Sequence, residues 1–312
     1  MKKRSRRGSL LVLLSAMMIV LLSLSGCGKD ESAQTDKQDA TLSDTVHIVT
    51  QAGSGEEATA SMTDGFKVAV FQKESEVEDK VLNNNYDLAV VSANTAAKLY
   101  QLTGGKLVVI SPVALNDWFI GSNKGYITSQ QISDLQGKTI FATWKGGTGE
   151  YILRKLLQDN GINPDYGVYM KWFDTSAQVI KALKTSNTVG LLQEPYASLA
   201  LGVSSTSNGL KADIDLGALW ESQYESSIPS DVLIANKQFV KERAGDLQLF
   251  ISEYEKSMET AKKSSAANLV FYGRSNRGID LIKNFMALME EYDINSLGGK
   301  NLDAAFYYGI GE

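Results

Sequence analysis

The sequence predicts an α/β protein of two lobes with a ligand cleft between them, and three observations carry that prediction. From Val46 onward, short apolar strands alternate with helical stretches, the pattern of a mostly parallel sheet with helices on its faces. The second observation is an internal repetition. Gly53-Ser54-Gly55-Glu56 follows the first strand of one block, and Gly147-Thr148-Gly149-Glu150 follows the matching strand of the next. In the same way Ala89-Val90-Val91-Ser92-Ala93-Asn94-Thr95-Ala96 lies against Gly190-Leu191-Leu192-Gln193-Glu194-Pro195-Tyr196-Ala197, a similar distance further on. Third, these loops fall at the carboxyl ends of strands, where open α/β sheets bind ligands. Convergence between short glycine-containing turns is the alternative account of the repetition.

Taken in order, the chain begins with Lys2, Lys3, Arg4, Arg6 and Arg7, then runs uncharged through Leu, Met, Val and Ile to Leu24-Ser25-Gly26-Cys27. A basic start, an apolar stretch and small residues before the cut make an export signal over 1–26. The cysteine directly after Ser-Gly looks like a bacterial lipobox, with Cys27 as the lipidation site. An uncleaved anchor, whose apolar stretch needs about 17–25 residues, is the alternative. Residues 27–45 are mostly Lys, Asp, Glu, Ser, Gln and Thr and read as a flexible tether. The body of the protein is therefore expected outside the cytoplasm, lipid-anchored to the cell membrane.

Strands are expected at 46–50, 66–71, 87–91 and 106–111, with helices over 74–82 and 94–102. The second block repeats the plan. It has a strand at 138–143, a helix from Thr148 to Asn160 with Ile152, Leu153, Leu156 and Leu157 on one face, and strands at 169–173 and 188–192. Asn160-Gly161 stops the first of these helices, glycine taking the position just past the cap. Thr175-Ser176-Ala177-Gln178 has the form of a capping box for the next, and a further helix starts at Pro195. The chain returns to the first lobe near Ile228-Pro229-Ser230-Asp231, then reads as helix over 237–262 and 276–291 before an irregular tail. Lobe one is thus expected from 46–114 plus 226–312, and lobe two from 115–225.

Composition narrows the function. Cleavage before Cys27 removes five of the 31 basic residues and none of the 36 acidic ones, taking the net charge from −5 to −10. An acidic body argues against binding nucleic acid or anionic lipid through a basic surface. With the one cysteine acylated, no disulfide is available, so stability rests on the core. The single histidine, His47, sits in the strand Val46-His47-Ile48-Val49-Thr50 and reads as a structural strand residue. A histidine–cysteine metal cluster is excluded, and a serine triad would have to use His47 with no G-x-S-x-G elbow present. No cofactor is expected, and the chain reads as a non-enzyme.

The expected ligand-binding residues stand at the strand ends that face the cleft: Gln51, Gly53, Ser54, Asn94, Asp117, Trp118, Trp144, Gly147, Thr148, Asp174, Glu194 and Tyr196. Glycines opening helices leave free backbone N–H groups at the positive end of a helix dipole, which favours an anion or a carbonyl oxygen; a tight turn is the alternative use. Trp118 and Trp144 offer aromatic faces for a planar ligand or a cation, or structural packing in the case of Trp118. Asn94, Asp117, Asp174 and Glu194 offer acceptors to amine or ring N–H groups, although Asp174 and Glu194-Pro195 also suit helix starts. The acidic stretch Glu74, Glu76, Glu78 and Asp79 reads as a solvated helix face or, secondarily, as a docking patch for a permease.

Several segments carry a family likeness. Ile132-Ser133-Asp134-Leu135-Gln136-Gly137-Lys138-Thr139-Ile140, Lys145-Gly146-Gly147-Thr148, Asn160-Gly161-Ile162-Asn163-Pro164-Asp165 and Gln193-Glu194-Pro195-Tyr196-Ala197 resemble, in order and spacing, the nitrate/sulfonate/taurine and thiamine-precursor group of ABC-transporter solute-binding proteins. The ending Ser296-Leu297-Gly298-Gly299-Lys300 through Phe306-Tyr307-Tyr308 resembles one lipoprotein branch of that group. The resemblance spans essentially Val46 to Tyr308. It implies a type II periplasmic-binding-protein-like fold, capture of a small polar or heteroaromatic molecule by hinge closure, and delivery to ABC permease subunits by a monomer. A ligand-sensing receptor module of the same fold is the alternative. Two loops depart from the branch: Gln51-Ala52-Gly53-Ser54-Gly55 replaces its usual Gly-Pro-Thr-Gly, and Ser92-Ala93-Asn94 keeps only the asparagine of Pro-Thr-Asn. Both fall on the lobe-one side of the cleft, so the ligand is open. The yeast-type pyrimidine synthase, which shares the fold, draws on histidine and a cysteine-rich motif that this chain lacks, so no enzymatic function carries over.

Overall fold

The computed structural model describes residues 41–123, 126–201, 209–273 and 275–308. Two five-stranded sheets form the frame. The first begins with β1 (Val46–Gln51), β2 (Phe66–Phe71), β3 (Leu88–Ser92) and β4 (Leu107–Leu115). The chain then crosses to the second sheet, made of β5 (Trp118–Asn123), β6 (Thr139–Ala142), β7 (Tyr169–Trp172), β8 (Val189–Gln193) and β9 (Leu210–Asp215). It comes back as β10 (Pro229–Asn236). The helices α1 (Ser54–Thr59), α2 (Glu74–Leu82) and α3 (Ala93–Leu102) belong to the first pass, α4 (Thr148–Asp159), α5 (Ser176–Leu183), α6 (Tyr196–Leu201) and α7 (Leu216–Tyr224) to the second sheet. After β10 come α8 (Lys237–Glu242), α9 (Ala244–Ala261) and α10 (Asn276–Tyr292).

The strand orders are β2-β1-β3-β10-β4 and β7-β6-β8-β5-β9. In each, three consecutive strands run parallel and the fourth position is held by an antiparallel strand that enters directly from the other lobe. The repetition seen in the sequence is therefore a repetition of topology: both lobes use one scheme, and each completes its sheet with a strand delivered by a crossing. This is the two-lobed, type II arrangement. The two crossings touch. Asn116, in left-handed backbone between β4 and β5, donates its backbone N–H to Ile228 O at 3.0 Å and accepts the Ile228 N–H on its side chain at 2.6 Å. Its side-chain amide also reaches Glu221 Oε1 at 2.6 Å.

Strand burial follows this layout. β3, β4, β8 and β10 are buried along their whole length, as strands covered on both faces should be. The amphipathic helices dock where their spacing requires: Ile152, Leu153, Leu156 and Leu157 of α4 are buried together. Thr175 caps α5 in a full capping box with Gln178, and Gly161 takes a left-handed φ of 78° past the end of α4. His47 is exposed on β1 with Asp87 at 3.6 Å.

Two sequence expectations need correction, and two further features were not foreseen. The helix expected over 237–262 is two, broken at Arg243. There the guanidinium reaches Asp44 O at 2.6 Å and Asp246 Oδ2 at 2.7 Å, and the backbone leaves helical geometry. That same cluster corrects the tether: its last residues are docked, because Ser43 donates to both Asp246 oxygens at 2.8 and 2.6 Å and Leu42 packs on the lobe-one core. β5, β9 and α7 were not expected at all. The irregular tail is pinned, with Phe306 fully buried against Tyr100 at 5.1 Å between ring centres. Export signal, lipobox and the tether up to residue 40 lie outside the described residues. Within these, no helix is long and apolar enough to cross a membrane.

Gly55 shows how closely α1 sits on the sheet. A β-carbon there would stand 2.0 Å from Thr50 Oγ1 and 2.9 Å from Val90 Cγ1. Gly55→Ala is expected to destabilise the protein by about 1–3 kcal/mol in chemical denaturation. Gly245→Ala, on an open face of α9 with nothing within 4 Å, is expected to be neutral or stabilising by up to about 1 kcal/mol.

Candidate functional site

The carboxyl ends of β1, β3, β6 and β8 converge on the crossing between β4 and β5, and the buried polar residues gather there. At the centre is Asp231 of β10, 1% exposed. It accepts from Gln51 Nε2 at 3.1 Å and from the Ser54 hydroxyl, both in lobe one, and from Gln193 Nε2 of lobe two at 2.6 Å. Gln193 Nε2 also lies 3.4 Å from Asp117 Oδ2, at the crossing itself. Asp117 in turn ties the start of the next loop, accepting the Glu194 N–H on its backbone oxygen at 3.0 Å.

Above this floor, the loops of the two lobes bond to each other. The Asn94 N–H donates to Thr148 Oγ1 at 3.2 Å, and the Thr148 N–H donates back to Ser92 Oγ at 3.4 Å. Lys98 Nζ reaches Gly146 O at 2.6 Å and the Tyr151 hydroxyl at 3.2 Å. At the mouth, Lys73 and Asp174 form an ion pair across the cleft at 2.8 Å. Beside it lies a cavity of about 200 Å³ lined by Lys73, Glu74, Ser75, Glu78, Trp144, Lys145, Phe173 and Asp174. This volume lies below the roughly 300–1,000 Å³ of drug-sized sites, which suits a small solute. A larger cavity of about 380 Å³ lies on lobe two, between Gln131, Asn160 and Asp213. It collects none of these converging strand ends, so it is not the functional centre.

Trp118 and Trp144 form the aromatic wall, edge to face with ring centres 5.9 Å apart. Gly149 makes the contact possible, since a β-carbon there would stand 2.5 Å from the Trp118 ring. Trp144 holds a left-handed φ of 55°, a conformation that costs a non-glycine residue of order 1–3 kcal/mol and that clusters at functional sites. Neither indole N–H has a partner. The same is true of Gln51 Oε1, Gln193 Oε1, Asn94 Oδ1 and Asp117 Oδ1, all buried on the same surfaces. Buried polar groups are normally satisfied, and these six are without a partner.

The other expected residues have local roles. Glu194 caps α6, accepting from Ser198 N–H at 2.9 Å and its hydroxyl at 2.8 Å. Gly53 faces Tyr196, where its β-carbon would come 3.6 Å from the ring. Gly147 is buried against Ser92 and Glu74. Asp174 is exposed and engaged by Lys73. Sequence reasoning missed Asp231, Gln193, Lys98 and Glu74 as site residues. Glu74 corrects a reading outright: of the acidic stretch taken as a solvated face, Glu76 and Asp79 are exposed but Glu74 is 4% exposed beneath the β3–α3 loop. Among the described residues no group of histidine, cysteine and carboxylate side chains is placed to hold a metal ion.

Burial raises all three cleft carboxyls. Asp117 and Asp231 are pushed up by desolvation, Asp117 further by the neighbouring Asp231 charge, against hydrogen bonds that favour ionisation. Glu74 is pushed up to about 7 by desolvation and then by Glu78, with a smaller contribution from Asp231.

The fold and its site define a two-lobed binding protein with a polar interlobe cleft. A profile of the NMT1/THI5-like family matches residues 62–267, and the chain belongs to that family. No curated protein sequence matches it. Among solved structures it is similar to the ligand-binding component of an ABC-type import system from Staphylococcus aureus, with zinc bound. That match has 12% identity and a TM-score of 0.63, covering 85% of this chain and 96% of that one. It is also similar to an ABC transporter protein from Parabacteroides distasonis, at 15% identity and TM-score 0.59 over 85% and 99% of the two chains. The alkanesulfonate-binding protein SsuA from Xanthomonas axonopodis pv. citri, bound to MOPS, matches at 12% identity and TM-score 0.56 over 84% and 86%. At these identities the likeness is one of fold.

The raised carboxyl of Glu74 has a thermodynamic consequence. The folded state holds a proton that the unfolded state releases above about pH 4.5, so stability falls as pH rises from there through about 7. Glu74→Gln is expected to flatten that decline and to stabilise the ligand-free protein at pH 8 by up to roughly 3 kcal/mol, read from thermal melts between pH 5 and 8.

Proposed function

We propose that this protein is an extracytoplasmic, lipid-anchored solute receptor that captures a small polar or heteroaromatic molecule and presents it to the permease of an ABC importer. It makes or breaks no bond in its ligand. The observation that carries the reading is the set of unpartnered buried polar atoms contributed by both lobes, Gln51 Oε1 and Asn94 Oδ1 from the first and Asp117 Oδ1, Gln193 Oε1 and the two indole N–H groups from the second. A ligand touching both walls binds the closed form better than the open one, and differential affinity alone shifts that equilibrium. The touching segments around Asn116 and Ile228 serve as the hinge. Gln51, Gly53, Ser54, Asn94, Asp117, Trp118, Trp144, Gly147 and Thr148 line the closing surfaces, while Asp174, Glu194 and Tyr196 act at the rim. Lobe one comprises 46–114 with 226–312, and lobe two 115–225. The lipobox-like Cys27 supplies the membrane attachment, and the protein works as a monomer whose closed face the permease recognises.

The test is native mass spectrometry of the full chain purified in detergent, before and after unfolding and refolding. A small molecule released on unfolding, which raises the melting temperature when added back, is the expected result. At a hundredfold excess over its Kd the gain is about 2.7 kcal/mol. Gln193→Ala removes the lobe-two donor to Asp231 and is expected to weaken that ligand by about tenfold or more, since a charge-assisted hydrogen bond contributes about 1.5–3 kcal/mol. Binding at full strength in Gln193→Ala would rule out closure through this contact.

A further inference from the structure

We infer that the solute enters the cleft as a small organic cation, presenting protonated nitrogen N–H donors to the carboxylates of Asp117, Asp231 and Glu74. The inference rests on the solute-binding reading above and names the chemistry of its ligand. Three carboxyl groups, those of Asp117, Asp231 and Glu74, are 2%, 1% and 4% exposed; Gln193 joins the first two, and Glu74 lines the cavity beside Lys73. Among the described residues none of them forms an ion pair with lysine or arginine: the arginines pair elsewhere, Arg154 with Asp165 and Glu150, Arg243 with Asp87 and Asp246. A buried carboxylate needs a counter-charge or a proton. In the free protein a proton serves, which is what the raised affinity of Asp117 and Glu74 for protons expresses. A cationic ligand takes the place of that proton.

Several donors on the cleft loops that an oxyanion would use are already committed. The N–H groups opening α3 and α4 are given to Thr148 Oγ1 and Ser92 Oγ, and the Gly146 N–H to Glu150 Oε2 at 2.7 Å. Lys73 is held by Asp174, and Lys98 by Gly146 O. What stands open is mostly acceptor: the side-chain oxygens of Gln51, Gln193, Asn94 and Asp117. The amides of Gln51 and Gln193 are themselves turned onto Asp231, while Lys73 and Lys145 line the cavity beside Glu74. The two indole N–H groups remain as donors, so the ligand also carries an acceptor, and the indole faces suit a cation. An anion would add like charge to this cluster. The acidic net charge of −5 further favours arrival of a cation.

The test sorts ligands by charge. The small-molecule pool of a bacterial extract is split on cation- and anion-exchange resins. Each fraction, with the neutral flow-through, is added to the full-length protein in detergent, and the melting temperature is followed at pH 7.5. The expected result is a shift with the cationic fraction, lost in Asp231→Asn and reduced in Glu74→Gln, corresponding to weakening on the order of a hundredfold for Asp231→Asn. Melts of both variants without extract report whether each is folded. A shift with the anionic or neutral fraction alone overturns the cation and leaves the solute-receptor reading standing. A shift of undiminished size in both variants also overturns it. No shift with any fraction contradicts both readings together.

Discussion

The structure turns on one carboxylate that lobe one receives from the returning strand. Asp231 enters on β10, the strand that returns from lobe two, and it is nearly without solvent contact. Gln51 and Ser54 bring lobe one to it and Gln193 brings lobe two. A buried charge with neutral donors and no counter-ion is an expensive arrangement unless a function requires it. Here the requirement is a cleft that closes on something. The donors hold the carboxylate in place, and their own oxygens are left facing the space where the lobes meet.

The rest of the fold makes such a meeting reproducible. Each sheet completes its order with an antiparallel strand delivered by a crossing, so the crossings are continuous with the sheets. Their turning residues, Asn116 and Glu225, both take left-handed backbone. Apolar clusters lie around α9 and the returning strand in the first lobe and around α5 and β8 in the second, and the largest cluster holds residues of both lobes. Polar and charged contacts of Lys98, Lys73 and Thr148 bridge the upper cleft, and Trp220 meets Phe285 across the lobes at 5.7 Å between ring centres. The ion pair exposed at the rim contributes little, about 0–1 kcal/mol.

Much of this was legible in the sequence. The repeated glycine loops and the order of strands and helices in each block follow from local pattern. What was not legible has physical causes. β5 and β9 exist because they pair with each other and with β8; Trp118–Asn123 is too short and glycine-broken to announce itself alone. Arg243 breaks a helix through partners nearly 200 positions away. Asp231 looked like part of an ordinary returning strand, since its meaning depends on Gln51 and Gln193, 180 and 38 positions off. Glu74 sat in an acidic run in which Glu76 and Asp79 are exposed and Glu78 is half-buried. Helix periodicity shows Val77 and Val81 as the buried stripe, whereas Glu74 is buried by the loop laid over the helix start.

The central claim is that ligand and closure are one event at the Asp231 network. It is tested most directly by spin-label distances between exposed positions on the two lobes, Leu102 and Tyr169, each replaced by cysteine in a chain carrying Cys27→Ser. The account predicts a broad distance distribution in the ligand-free protein that collapses to a single short one when the released molecule is added back. In Gln193→Ala that collapse should require substantially more of it. A distribution that is unchanged by ligand, or that collapses equally well without Gln193, would contradict the account.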